Sequence, residues 1–296
     1  MSMYVGCYTL FVFFTRSYSE LMLLAVVLGV CHVFLPVNIS HDAIHGAVSS
    51  KNWLNDVCSY GLDITGSNSF MYKLKHLEAH YNKENGSKTT AIESQGLLLQ
   101  TRHARGSRNV HVVFYALYSQ YMIFVRDFLL FLRLRKQVPG REWIKLVFFK
   151  LLYCTAFIVL PFMFVKLPWW QVLTALLLMY LVVTIVLVII LLMPTDRMEH
   201  SRASGNHANE KWIVEILEHN VDFSPESAAL NLLAGGANLN VVHYLFPTVN
   251  HVHYNKLASI IERTAPEFGL QYRKQLVRDV FGIHFRYLKN IQNANG

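Results

Sequence analysis

Apolar residues in this chain gather into long unbroken runs. Trp169–Met193 reads WWQVLTALLLMYLVVTIVLVIILLM. A helix needs about 20 apolar residues to cross the hydrocarbon core of a bilayer. That run is long enough, Lys145–Val165 and Leu21–Val37 come close, and Met3–Phe14 is shorter. The pattern predicts about four transmembrane helices in two hairpins, with spans near 3–14, 21–37, 143–165 and 169–193. The first hairpin turns at Thr15–Glu20. The second turns at Lys166–Pro168, a link short enough to force direct reversal, with Trp169 and Trp170 as interface anchors.

The remainder, 38–141 and 194–290, forms one polar cap on the side to which both hairpins return. Within it, Val112–Leu134 reads as a helix lying in the membrane interface, because Arg126 and Asp127 interrupt its apolar run. The tail is helical in pattern, with Leu257, Ile260 and Ile261 on one face. The expected fold is therefore an all-α integral membrane protein, one domain over 1–296, carrying a cytoplasmic helical cap.

Composition agrees. Of 296 residues 53% are hydrophobic and only 16% are charged, with a formal net charge of +8. A basic balance can indicate nucleic acid, but the topology accounts for it more simply. The two outer turns hold only Arg16 and Lys166, so nearly all other Lys and Arg fall on the cap side, which the positive-inside rule makes cytoplasmic. Arg102, Arg105, Arg108, Arg133, Arg135 and Lys136 would face anionic headgroups. The cysteines, Cys7, Cys31, Cys58 and Cys154, form no CxxC pair, which excludes a zinc ribbon or dithiol redox motif. No GxSxG, Walker loop or GxGxxG opening a helix is present.

Histidine supplies the candidate chemistry. HDAIHG places His41 and His45 four residues apart, and KHLEAHY gives His76 and His80 the same spacing. On a helix that spacing stacks both rings on one face. A third segment, NLNVVHYLFP, centres on His243. Imidazole is the commonest protein ligand for mid-row transition metals. The second hairpin separates the first two segments from the third, so all three fall on the same side of the membrane. By contrast His32, inside a span, reads as a packed, hydrogen-bonded residue. The spans carry almost no charge pairs, which weighs against a transporter.

These motifs resemble those of the membrane fatty acid desaturases of the acyl-lipid and acyl-CoA type, over about residues 20–275. HDAIHG matches that family's first histidine box, KHLEAHYN its second and GGANLNVVHYLFPTVNHVHY its third region, continued by KLASIIERTAPEFG. The resemblance implies a di-iron centre that activates dioxygen and acts on a fatty acyl lipid or acyl-CoA. Electrons would come from a separate carrier such as ferredoxin or a b-type cytochrome, since no HPGG haem signature occurs. The positions that match as metal ligands are His41, His45, His76, His80 and His243. Departures are specific. Tyr81 and Tyr244 stand where the boxes have second histidines, Asn240 where the family has glutamine or histidine, and Val242 where it has an acidic residue. Additional ligands or supporting groups would come from Asn240, His219, Glu215, His251, His253, Tyr81 or Tyr244. Two irons need roughly eight or nine nitrogen ligands, whereas five suffice for one transition metal, since such sites use about four to six donors. The expectation is thus two irons from the family, and one or none from the residues. The alternative to an enzyme is a pseudo-desaturase that binds lipid or a partner enzyme.

Overall fold

The computed structural model describes residues 2–84, 117–192, 211–280 and 282. The arginines at 102, 105 and 108, the first part of the expected interface helix at 112–116, and the end of the last span at 193 lie outside them. The described chain is mostly helical, with one parallel ladder in which β1 (Asp222–Phe223) pairs with β2 (Lys274–Gln275).

Three helices are long and apolar enough to cross a membrane: α2 (Tyr18–Ile44), α5 (Gly140–Phe164) and Trp169–Leu191, which lies within α6 (Trp169–Leu192). The expected fourth, α1 (Ser2–Phe14), is a shorter apolar helix. At ~1.5 Å per residue it reaches roughly 20 Å, well short of the ~30 Å hydrocarbon core. The turn between α1 and α2 is shorter than the expected Thr15–Glu20, because α2 begins at Tyr18. Ser17 accepts from the Glu20 amide, and the Glu20 carboxylate accepts from the Ser17 amide, a reciprocal cap that starts α2. α2 runs on beyond the anticipated end at 37, through a π-type turn at Pro36–Ser40, and so carries the first histidine motif directly on the end of a span.

The chain divides into two compact units. The first comprises Met1–Ile44, Lys51–Lys73 and Arg108–Val188. Its core sets Leu21, Ala25 and Leu28 of α2 with Val172, Ala175 and Met179 of α6, together with Phe11 and Phe157. Its outer faces leave Leu23, Ile144, Leu151 and Met163 more than 60% exposed, the surface expected of helices solvated by lipid.

This unit also corrects the reading of Arg126 and Asp127 as interface residues. Asp127, which opens α4 (Asp127–Arg133), is fully buried and pairs with Lys150 of α5 at 2.9 Å and with Arg126 at 3.1 Å. The Lys150 ammonium also donates to the carbonyls of Gly66 and Ile123. A charge pair does therefore lie on a span, and sequence missed it because its halves are 23 residues apart on different helices.

The second unit comprises His45–Ser50, Leu74–Ser107 and Ile189–Gly296. Its core joins Ile216 and Leu217 of α7 (Lys211–His219), Val241 and Val242 of α9 (Asn240–Leu245), and Tyr254, Ala258 and Ile261 of α10 (Tyr254–Thr264). α3 (Ser69–Glu84) supplies the second histidine pair.

Candidate metal centre

His45 follows the last turn of α2, and Gly46 after it takes φ +73°, the left-handed conformation that ends a helix. His76 and His80 sit one helical turn apart on α3, as their spacing predicts. His243 stands in the short α9, whose start is fixed by Asp222. The Asp222 Oδ1 accepts from the Val241 amide at 2.7 Å, satisfying one of the N–H groups left open at a helix start. Its Oδ2 accepts from the Tyr272 hydroxyl at 2.7 Å. Phe223 and Asn238 complete the attachment: the Phe223 amide donates to the Asn238 carbonyl at 2.7 Å, and Asn238 Nδ2 returns to the Phe223 carbonyl at 2.9 Å. Asp222 is fully buried, and burial pushes its carboxyl up to about 7, against the lowering effect of the donors from Tyr272, Val241 and Val242. The same burial, with the Asp222 carboxyl beside it, holds the Tyr272 phenol well above its ordinary range.

Gly236 closes the frame behind α9. At φ +80° it lies so near α10 that a Cβ there would come within 2.8 Å of the His251 Cβ and 2.9 Å of the Tyr254 ring. No side chain fits, so the third segment docks closely enough for Tyr254 to reach His243. The Tyr254 hydroxyl is 3.1 Å from His243 Nδ1. If Nδ1 carries the proton and donates to the phenol oxygen, Nε2 keeps its lone pair, the tautomer a metal ligand needs.

The four imidazoles of this unit converge. His45 Nε2 lies 2.8 Å from His76 Nε2, and His80 Nε2 lies 2.9 Å from His243 Nε2. One ligand nitrogen from each of His45, His76 and His243 falls within 4.8 Å of the others. Residues from three distant stretches of chain thus present nitrogens to one small volume. Two nitrogen atoms in contact share at most one proton. The donor set suits Fe, Zn, Cu or Ni and is wrong for Mg or Ca.

The other candidates are distributed as follows. His41 belongs to the first unit, four residues before His45, with its Nδ1 3.8 Å from the Asp42 carboxylate and its ring 6.5 Å from that of Tyr72. Tyr244 is buried, its ring 4.7 Å from that of His80 and 5.5 Å from that of His243. Asn240 is buried at the start of α9. His251 is buried, and its carbonyl accepts from Asn231 Nδ2 at 2.7 Å, while His253 and Glu215 are exposed. The side chains of Tyr81 and His219 lie outside the described residues. Sequence reasoning missed Asp222 entirely. Tyr254 was visible within HVHY, but its link to His243 was not.

The fatty acid desaturase profile matches residues 19–276, a stretch containing every histidine named above. The chain belongs to the fatty acid desaturase family. It is 26% identical over 287 residues to the sn-1 linoleoyl-lipid 6-desaturase of Arthrospira platensis, covering 90% of this chain and 77% of that relative. It is 26% identical over 267 residues to the enzyme of the same name in a Synechocystis strain, covering 84% and 74%. It is 25% identical to the acyl-lipid (8-3)-desaturase of Physcomitrium patens, covering 97% of this chain and 64% of that relative. This desaturase-like chain is an integral membrane protein of lipid metabolism, with a histidine cluster able to hold metal. The reading as a lipid-binding pseudoenzyme is not favoured.

Proposed function

We propose that the protein is an oxidoreductase that introduces unsaturation into the acyl chain of a membrane lipid, or of acyl-CoA, using dioxygen. The convergence of His45, His76, His80 and His243 carries this reading. His41 is added as a ligand on its motif alone. When bound, a redox metal such as iron supplies the oxidising power for cleaving an unactivated C–H bond with dioxygen. The protein's own residues do the rest. Tyr254 holds His243 in one orientation, and Asp222 fixes the helix that bears it.

The histidines face the cytoplasm in this proposal. The charge bias supports that side, because Arg16 and Lys166 are the only basic residues in the two outer turns. A separate protein, a ferredoxin or a b-type cytochrome, delivers electrons there.

The test is lipid profiling of cells that express the chain together with an electron donor. A new acyl species two hydrogens lighter should appear, and should be missing from cells expressing His76→Ala or His80→Ala at equal protein level. An unchanged profile, with verified membrane insertion and supply of both donor types, would sink the proposal.

A further inference from the structure

We infer that Tyr272 is a positioning residue for His243, and that residues 270–277 form the strap through which it acts. The inference rests on the reading of the histidine boxes as a metal site.

His243 hangs from β1. Its amide donates to the Leu239 carbonyl at 2.9 Å, and Leu239 pairs with Asp222 across an antiparallel bridge. Asp222 also holds the next turn, where its Oδ1 accepts from the Val241 amide two residues before the histidine. β1 is thus the edge against which the histidine's helix is set. It is two residues long, below the ~3–10 residues usual for a strand. Its place depends on what pairs with it.

The strap is that partner. The Asp222 amide donates to the Arg273 carbonyl at 3.1 Å, and the Ser224 amide to the Gln275 carbonyl at 2.8 Å. The Val277 amide donates to Ser224 Oγ at 3.1 Å. Arg273 Nη1 donates to the Glu218 carbonyl at 2.9 Å, in the last turn of α7, where carbonyls lack helical partners. The Lys274 ammonium lies 2.6 Å from the Glu262 carboxylate on α10. Leu270 and Tyr272 pack against the core of the unit. Ser224 shows that this docking is imposed. Its φ of +45° is left-handed, a conformation that a residue with a Cβ holds only where its surroundings fix it.

One of these contacts continues through a side chain to the helix of the histidine. The Tyr272 hydroxyl donates to Asp222 Oδ2 at 2.7 Å, while Oδ1 accepts from the Val241 amide at 2.7 Å. Each carboxylate oxygen meets its own donor, so the group is held at both ends. Without the hydroxyl one end is released inside the fold. The carboxyl can then turn, and the start of α9 loses its fixed direction. Groups that orient a metal ligand act in this way, by narrowing the directions from which its nitrogen can approach the ion.

The test is a titration with cobalt(II) alone of the full chain, purified in detergent and stripped with chelator, read by ligand-field absorption. Tyr272→Phe keeps the ring and removes only the hydroxyl. Its cobalt affinity should fall about 3- to 10-fold, at or below the low end for groups that orient a ligand. Its ligand-field bands should shift while helical circular dichroism stays unchanged. Asp222→Asn should bind as the parent does, because the amide still accepts from Val241 and donates to the Tyr272 oxygen. Parental affinity and spectrum in folded Tyr272→Phe would overturn the inference and leave the metal site standing. Equal losses in Asp222→Asn and Tyr272→Phe would overturn it too. If Tyr272→Phe does not fold, Ser224→Gly decides. Glycine suits the left-handed φ and removes the hydroxyl that Val277 holds, so the same weakening is expected, and parental binding would overturn the inference. A folded parent chain that takes up no cobalt would overturn both this inference and the reading beneath it.

Discussion

His32 and the four clustered histidines make an instructive contrast. His32 is buried in the first unit, with Nδ1 2.9 Å from the Tyr4 hydroxyl and Nε2 2.9 Å from the Thr65 carbonyl. Each nitrogen faces an oxygen of complementary role. The buried charges nearby follow the same logic: Lys150 meets Asp127 and two carbonyls. In the second unit, nitrogen faces nitrogen, His45 to His76 and His80 to His243. Residue type is shared by both places, and burial by all but the half-buried His45. What differs is the atom that each ring nitrogen meets, oxygen around His32 and a second imidazole nitrogen in the cluster. The first arrangement ties helices together, and the second is a donor set that suits a mid-row metal.

Breaking the complementary set should have the largest effect on stability. Lys150→Met leaves the buried Asp127 carboxylate with Arg126 as its remaining cation, and should destabilise the protein by about 3 kcal/mol. Thermal unfolding in detergent would measure it. The double change Lys150→Met with Asp127→Leu should recover part of the loss, because the buried carboxylate is gone while Arg126 keeps its contact with Ser67 Oγ. Equal loss in both variants would mean that the pair is not what the unit depends on.

Breaking the like set should do the reverse. His80→Ala should unfold at nearly the same temperature as the parent chain when both are metal-free, while losing metal binding by 100-fold or more. Removing a group that merely orients a metal ligand costs ~10–100-fold in affinity, and removing the ligand costs more. A substantial fall in metal-free stability would show that His80 is there to fill the core.

Tyr254→Phe sharpens the comparison. It keeps the ring and removes only the hydroxyl 3.1 Å from His243 Nδ1. Metal affinity should fall ~10-fold by titration, near the lower end of the range for such contacts. The cobalt spectrum should broaden as His243 loses its fixed tautomer. Unaltered affinity and spectrum would remove Tyr254 from the site.

Asp222 offers a test of a different kind, read from pH dependence. In the unfolded chain its carboxyl ionises near the ordinary ~4, and in the fold burial holds it to about 7. The unfolded state therefore releases its proton first, and this group's contribution to stability falls as pH rises from about 4 to about 7. Asp222→Asn can still accept from the Val241 amide and can donate to Tyr272. The unfolding midpoint of the variant, relative to the parent, should rise across that pH window and level off above it. A constant difference from pH 4 to 8 would refute the assignment.

Much of this was legible in the sequence. The runs at 145–165 and 169–193 announced a helical hairpin, because lipid leaves no alternative to a fully hydrogen-bonded helix. The spacing of His76 with His80 announced two neighbours on one helix, because four residues make about one helical turn. The span count was less secure: Met3–Phe14 has the composition of a span without its length. The charges at 126 and 127 misled, since an apolar run interrupted by charge looks the same whether the charge meets water or Lys150.

The amino-acid order by itself determined the membrane class, the three histidine segments and the family, all of which rest on local composition and spacing. Only the tertiary structure decided that His45, His76, His80 and His243 converge, that Asp222 and Tyr254 support the last of them, and that Lys150 closes on Asp127. Each of those facts joins residues far apart along the chain. Their meeting depends on how helices and turns dock, and docking is settled by packing and by the pairing of buried polar groups across the whole unit.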